Sequence, residues 1–313
     1  MQAANNSTNT STSKTSGNSR FLHLEDVYKS YDRVILDDID LAVSKGEFCT
    51  VVGPSGCGKS TLLRLILGVE SPDSGTLHLH GEEIGYPSPN RGIVFQRYSL
   101  YPHLTVLENV MLGRTLPAGF FERKHKKKKF IEEAEYYLKR VRLEGQGNKY
   151  PHELSGGMQQ RVAIAQSLVT NPDILLMDEP FGALDPDTRE EMQLFLLELW
   201  DEQKMTVFFV THDLEEAFFL GTRVLVLSQY YTDDRGDNHA RRGAKIVGDY
   251  PLAKAGAAST KIKNDPEFIK LTEEIRSVGF DPKIRQHVNE FNLKHPDSFR
   301  TLTDEEANGK AGS

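Results

Sequence analysis

The chain has 313 residues, 38% of them apolar, and its 38 Lys and Arg against 45 Asp and Glu leave a net charge of −7. That apolar share suffices for a buried core in one large or two small domains, and no run reaches the roughly 18 consecutive apolar residues that a membrane span needs. The acidic balance argues against nonspecific nucleic-acid binding, which depends on clustered positive charge.

Residues 1–20, rich in Ser, Thr and Asn without an apolar centre, read as a disordered tail rather than a secretory signal. From Phe21 the pattern is strand-like: Phe21, Leu22, Leu24 and Val27, then Ile39, Leu41 and Val43, then the continuous apolar run Phe48 to Val52. That run is followed by Gly53-Pro54-Ser55-Gly56-Cys57-Gly58-Lys59-Ser60-Thr61, which spells G-x-x-x-x-G-K-S ahead of the helical Leu62 to Leu67. A strand, this loop and a helix in succession make a phosphate cradle. Glycines at 53, 56 and 58 let backbone N–H groups close around phosphate oxygens, Lys59 brings positive charge to the terminal phosphates, and the Ser60 hydroxyl is suited to ligate magnesium. Ser55, Cys57 and Thr61 complete the expected nucleotide contacts. A disulfide between Cys49, in the strand, and Cys57, in the loop, would distort both, so a reducing cytosol suits the pair.

Further on, His78 and His80 alternate along an expected strand and read as surface histidines, since no third ligand completes a metal set. From about residue 97 to 160 the periodicity is helical. The basic run Lys124 to Lys129 opens a helix with Phe130, Ile131, Ala134, Tyr137, Leu138 and Val141 on its apolar pattern; such a run reads first as a solvated face, with anionic lipid headgroups as the alternative partner. Ile174 to Met177 predicts a strand buried on both faces that ends on Asp178 and Glu179, the first suited to a magnesium shell and the second to polarising a water. Asp185-Pro186 caps a helix carrying Met192, Phe195, Leu196 and Leu199. Two strands, Thr206–Thr211 and Arg223–Ser228, flank a helix from Asp213 to Gly221. Residues 231–244 form a polar insertion expected to be a surface loop serving regulation or partner contact, from which Asp233 to Arg241 can be deleted without loss of the fold. A last helix runs from Pro266 to about Val278 and stops at Gly279, and the chain from Asp304 onward is expected to fray.

A second long motif, Leu154-Ser155-Gly156-Gly157-Met158-Gln159-Gln160-Arg161, reads as an LSGGQ-type signature. With it, the chain from about Phe21 to Pro251 resembles the ATP-binding subunits of ABC transporters. The resemblance implies an α/β fold: a P-loop NTPase (RecA-like) core with an antiparallel β subdomain and an inserted helical subdomain (about 97–160) within 21–250, followed by a C-terminal helical extension over 251–313. It implies that Tyr31 stacks on adenine and that Gln96 contacts magnesium and the membrane partner. By the same likeness His212 reaches the γ-phosphate, while Ser155, Gly156, Gly157 and Asp185 face the nucleotide of a second copy. Met158 replaces the commoner Gln. The implied cofactors are ATP and Mg2+.

The segments Asn90 to Gln96 and Leu104 to Val110, with Asp265-Pro266-Glu267-Phe268 near the end, are similar to the importer branch for nitrate, sulfonates, taurine and bicarbonate. That likeness implies membrane permease subunits as partners, docked near Tyr98 to His103 with Tyr101 as anchor, a solute-binding protein, and a peripheral place at the cytoplasmic face of the inner membrane. An exporter or lipid-trafficking ATPase, or a non-transport ABC ATPase, remains the alternative at this point.

Overall fold

The computed structural model describes residues 21–96, 100–235, 242–252 and 266–300. The expected tail over 1–20, Tyr98 and Ser99 of the docking segment, and the chain from Asp304 onward lie outside the described residues.

An antiparallel sheet of four strands comes first: β1 (Leu22–Ser30), β2 (Val34–Val43), β4 (Ser74–Leu79) and β5 (Glu82–Glu83), in the order β2-β1-β4-β5. Leu22 and Leu24 are buried, as the alternation predicts, and a register shift around Asp26, at φ 51°, returns Val27 to the same buried face. The second sheet is built on β3 (Phe48–Val52), whose five residues are all buried. Around it stand β6 (Arg91–Val94), β7 (Ile174–Asp178), β8 (Thr206–Val210), β9 (Arg223–Ser228), β11 (Lys245–Pro251) and β13 (Asn292–Leu293), in the order β13-β11-β9-β3-β8-β7-β6. β6, β7, β8, β3 and β9 run parallel, and β11 is antiparallel to β9. Continuous apolar strands need cover on both faces of a parallel sheet.

Helices supply that cover. Alternate residues of β7 point opposite ways: Ile174 and Leu176 join the core with α1 (Lys59–Leu67), whereas Leu175 and Met177 join the core with α5 (Gly156–Leu168) and α6 (Pro186–Gln203). So α1 and α5 lie on opposite faces. Between β6 and β7 the chain is helical, with α2 (Val106–Thr115), α3 (Phe120–His125), α4 (Lys127–Arg140) and α5, the last of which runs eight residues past 160. The α7 helix (Leu214–Leu220) is capped by the Asp213 carboxylate, which accepts from the Glu215 and Glu216 amides at 2.9 and 3.3 Å.

Three expectations change. His80 has left the strand: it takes φ 55°, is exposed, and approaches Asp173 at 3.3 Å, so it shares no strand face with His78. The C-terminal extension is more than helical. Besides α8 (Pro266–Phe280) it adds β13 to the main sheet, parallel to β11, and β12 (Gln286–His287), which pairs with β10 (Tyr231–Thr232).

The third change concerns the insertion, whose described ends are core rather than loop. Tyr231, Asp233, Arg242 and Ala244 are buried. Tyr231 Oη donates to Asp37 at 2.6 Å, Arg235 bridges Asp37 and Asp233, and Arg242 meets Asp233 at 2.8 Å. Burial alone would raise the Asp37 carboxyl, but the Arg235 and Tyr231 hydrogen bonds hold it below its ordinary range. Polar residues read as solvated in a sequence are here paired in the interior, the condition under which buried charge is tolerated.

Candidate functional site

The phosphate loop lies at the carboxyl end of β3, in the middle of the parallel sheet, where open α/β folds place their ligands. Gly53 cannot be replaced without moving backbone, because a Cβ there would sit 2.0 Å from the Leu227 carbonyl oxygen. Gly58 caps α1 at φ 106°, a conformation that glycine reaches freely. Lys59 is buried along its stem, and its Nζ donates to the carbonyls of Gly53 and Pro54 at 2.8 and 3.0 Å, so the cation is held inside the curl of the loop. Ser55 and Gly56 are exposed, while Thr61 is buried. Cys57 is buried and its thiol is pushed up by that burial, which keeps it protonated and inert at neutral pH; both cysteines are free.

Two strands away, β7 delivers Asp178 and Glu179 to the same edge. Asp178 is raised by partial burial, and a hydrogen bond with Ser60 opposes the rise. Glu179 takes φ 46°, and its amide donates to the Val210 carbonyl at 3.0 Å, which fixes the strained turn to β8. Its Oε2 lies 3.2 Å from Nδ1 of His212, at the end of β8. His212 is braced on both sides by a network that sequence reading missed. Thr211 Oγ1 donates to the Glu216 carboxylate at 2.5 Å and accepts from the Asp213 amide at 3.0 Å, and Gln193 of α6 donates to the other Glu216 oxygen at 3.0 Å. Glu216 is pushed up by burial. The apolar residues around it were the only sequence signal, and they do not mark it.

Gln96, just past β6, is exposed and borders the turn after Glu179: a Cβ on Gly182 would meet its Nε2 at 3.3 Å. Tyr31, at the β1–β2 turn, is 52% exposed, with Lys29 Nζ 5.5 Å from its ring centroid and its hydroxyl bonded to Glu70. An exposed, anchored ring can take a flat partner on its face.

The signature residues stand apart from this cluster. Ser155 caps α5, its Oγ accepting from the Met158 amide at 3.3 Å, which leaves its O–H free to donate. Gly157 is buried against α6, where a Cβ would meet Thr188 Cγ2 at 2.5 Å. Ser167 of the same helix donates to Ile93 of β6 at 2.7 Å. β6 is three strand spacings, about 14 Å, from β3, and α5 covers the sheet face opposite α1. Asp185 is exposed and caps α6 through the Thr188 amide at 3.0 Å, which lowers its carboxyl. One copy thus gathers Lys59, Ser60, Asp178, Glu179, Gln96 and His212, and holds Ser155 and Gly156 elsewhere.

Residues 36–182 match the ABC transporter family. The chain is 44% identical to the nitrate import ATP-binding protein NrtD of Synechocystis sp. over 78% of this chain and 88% of that protein. It is 41% identical to the taurine import ATP-binding protein TauB of Escherichia coli O157:H7 over 84% of this chain and 98% of that protein. Among solved structures it resembles the dimeric structure of MJ0796, a bacterial ABC transporter cassette, with a TM-score of 0.60 and 32% identity, covering 74% of this chain and 99% of the other.

Proposed function

The chain belongs to the ATP-binding subunits of ABC transporters, and on that premise we propose that it powers a separate membrane permease importing a small solute of the nitrate, sulfonate, taurine or bicarbonate class. ATP binding and hydrolysis are the family's activity. The solute class is supported by the names of its relatives, which import nitrate, taurine and aliphatic sulfonates.

In this reading the loop amides of residues 53–61 and Lys59 grip the β- and γ-phosphates, and Tyr31 covers the adenine. Ser60 and Asp178, which lie close enough for the hydroxyl to oppose the rise of the carboxyl, are hard oxygen donors of the kind Mg2+ takes, with Gln96 as a further oxygen ligand. Bound Mg2+ supplies charge neutralisation on the phosphates. Glu179 takes the proton of the attacking water as the bond from the γ-phosphorus to the bridging oxygen breaks, and ADP and phosphate leave. His212 Nδ1 holds the Glu179 carboxylate for that step, and the 3.2 Å contact between them is the single observation that carries the catalytic reading.

A second copy is needed because Ser155, Gly156 and Gly157 begin a helix on the opposite sheet face from α1. Two copies facing each other would bring the signature and Asp185 of one to the phosphate loop of the other, as the dimeric form of a related cassette supports. ATP favours the closed pair and hydrolysis releases it, which is how binding energy can drive the permease. Within the chain, 21–250 acts as the ATP-binding domain with its helical subdomain over about 97–160. The residues from 251 on form an extension that contains α8 and whose β13 pairs with β11.

Among the described residues no helix is long and apolar enough to cross a membrane. The working place we assign is peripheral, at the cytoplasmic face of the inner membrane beside permease subunits, with a solute-binding protein on the far side and no nucleic-acid partner. Proteoliposomes holding the permease, this chain inside and the binding protein outside test the reading directly: labelled nitrate or taurine should accumulate only with enclosed ATP. ATP hydrolysis that leaves every solute of the class outside would reject the import assignment.

A further inference from the structure

The helical subdomain carries a surface that the nucleotide site does not use. Residues 114–129 hold seven basic side chains and one acidic one, in a chain whose net charge is −7. They span the end of α2, the whole of α3 and the start of α4. Three of the lysines stand well out into solvent, Lys126, Lys128 and Lys129 being 53, 92 and 67% exposed, while Arg114 pairs with Glu133 and Arg123 donates to the Leu116 and Ala118 carbonyls. The lysine pairs with Glu122, Glu132 and Glu133 are of the i,i+4 helical kind, weak and readily exchanged in water.

Two large apolar side chains share this stretch. Leu116, at the C-cap of α2, is 63% exposed, and Phe121, in the first turn of α3, is 81% exposed. Neither belongs to the buried clusters, to which α4 contributes Ala134 and Leu138, although Phe121 does make a contact at the surface. Exposed Leu and Phe among long cationic side chains form the pattern of a protein surface that lies in a lipid interface. The apolar groups enter the headgroup–acyl boundary, and the lysine ammonium groups stay level with headgroup phosphates. A nucleic acid would use the cations and leave Leu116 and Phe121 in water. A protein groove would take the two apolar groups but disfavour so dense a set of lysines at its centre. A side chain 81% exposed projects from the surface, as insertion requires.

We propose that residues 114–129 contact the headgroups of an anionic lipid leaflet and hold this chain on the membrane independently of any permease. The leaflet it would meet follows from the peripheral position given under the proposed function. Lipid contact itself is read without permease, solute or turnover, so failure of either claim is seen separately.

Sedimentation of the purified full chain with vesicles tests it. The chain should pellet with phosphatidylcholine vesicles containing about a third phosphatidylglycerol and bind less to phosphatidylcholine alone, on the order of 100-fold or more. Binding should vanish between about 0.01 M and about 1 M salt, as the screening length falls from about 30 to about 3 Å. Changing Lys124, Lys126, Lys127, Lys128 and Lys129 to Gln should lower partitioning on the order of 100-fold or more, at roughly fivefold per cation. Leu116→Ser with Phe121→Ser should lower it about 10-fold while the lysines remain. All seven positions are off the phosphate loop, so unchanged ATP binding certifies the folded variants, and the apolar pair alone decides if the lysine variant misfolds. No pelleting with anionic vesicles at low salt, or pelleting that survives both variants, overturns the proposal. So does retention that duplex DNA displaces and the apolar variant leaves intact, which would mark a nucleic-acid surface.

Discussion

The Arg235 guanidinium lies 2.7 Å from the Asp37 carboxylate, joining the polar insertion to the middle of β2 across nearly the whole ATP-binding domain. Beside it, Ala244 N donates to the Ile35 carbonyl at 2.8 Å and Asp37 N to the Ala244 carbonyl at 3.0 Å. Ile35 and Leu36 in turn abut the phosphate loop, since a Cβ on Gly58 would meet both side chains at 2.9 Å. The insertion therefore braces the strand against which the loop rests.

Removing that brace should be costly. Arg235→Ala leaves a buried carboxylate short of a charged donor and should cost about 2 kcal/mol in urea unfolding. Asp37→Asn should remove an acid-dependent part of stability. A carboxyl held below its unfolded pKa stabilises the fold above that unfolded value and loses the contribution as pH falls through the lower folded value. Excising Asp233 to Arg241 should weaken ATP binding as well as stability. An excised chain with wild-type urea midpoint and ATP affinity would show that the brace is idle.

Glu179→Gln keeps the shape of the side chain and its place 3.2 Å from His212 but cannot accept the water proton. Hydrolysis should fall on the order of 100-fold or more while ATP binding persists, so the variant should accumulate as an ATP-bound dimer in size-exclusion chromatography. Steady-state turnover near the wild-type rate rejects Glu179 as the base.

Ser155→Arg alters a helix cap on the opposite sheet face from α1, so ATP affinity of the monomer should be nearly unchanged while hydrolysis is lost. Mixed with Lys59→Ala, it should regain part of the activity, because the hybrid pair contains one intact composite site. Equal inactivity of the mixture and of each variant alone counts against a shared site.

Tyr101 is 48% exposed, and its turn is built by the buried Asn109, whose amide donates to the Tyr101, Leu104 and Thr105 carbonyls and accepts from the Tyr101 amide. The ring meets His103 edge-on and is not part of the core. Tyr101→Ala should thus leave the melting curve in place and weaken pull-down of the permease by about 2 kcal/mol, the scale of an aromatic anchor. Full assembly with a lowered melting temperature would assign Tyr101 to packing instead.

Much of the fold was legible without coordinates. The strands Phe48–Val52 and Ile174–Asp178 are short continuous apolar runs, which only a doubly covered sheet accommodates. Asp185-Pro186 announces α6 because a carboxylate cap and a first-turn proline act on adjacent amides. The phosphate loop and the Asp178-Glu179 pair are visible for the same reason: their chemistry requires neighbours in sequence, so the pattern is local. What only the tertiary structure decided depends on residues distant in the chain. Nothing in Thr211, Glu216 and Gln193 singles them out until α6 and α7 come together and bury the Glu216 carboxyl. Asp233 and Arg235 carry the composition of a solvated loop, Asp37 is a lone carboxylate in the strand Val34–Val43, and β13 is two residues long, too short for any period to register. A charged side chain has one sequence signature whether water or a buried partner satisfies it. Which of the two it meets is set by the packing of the whole chain.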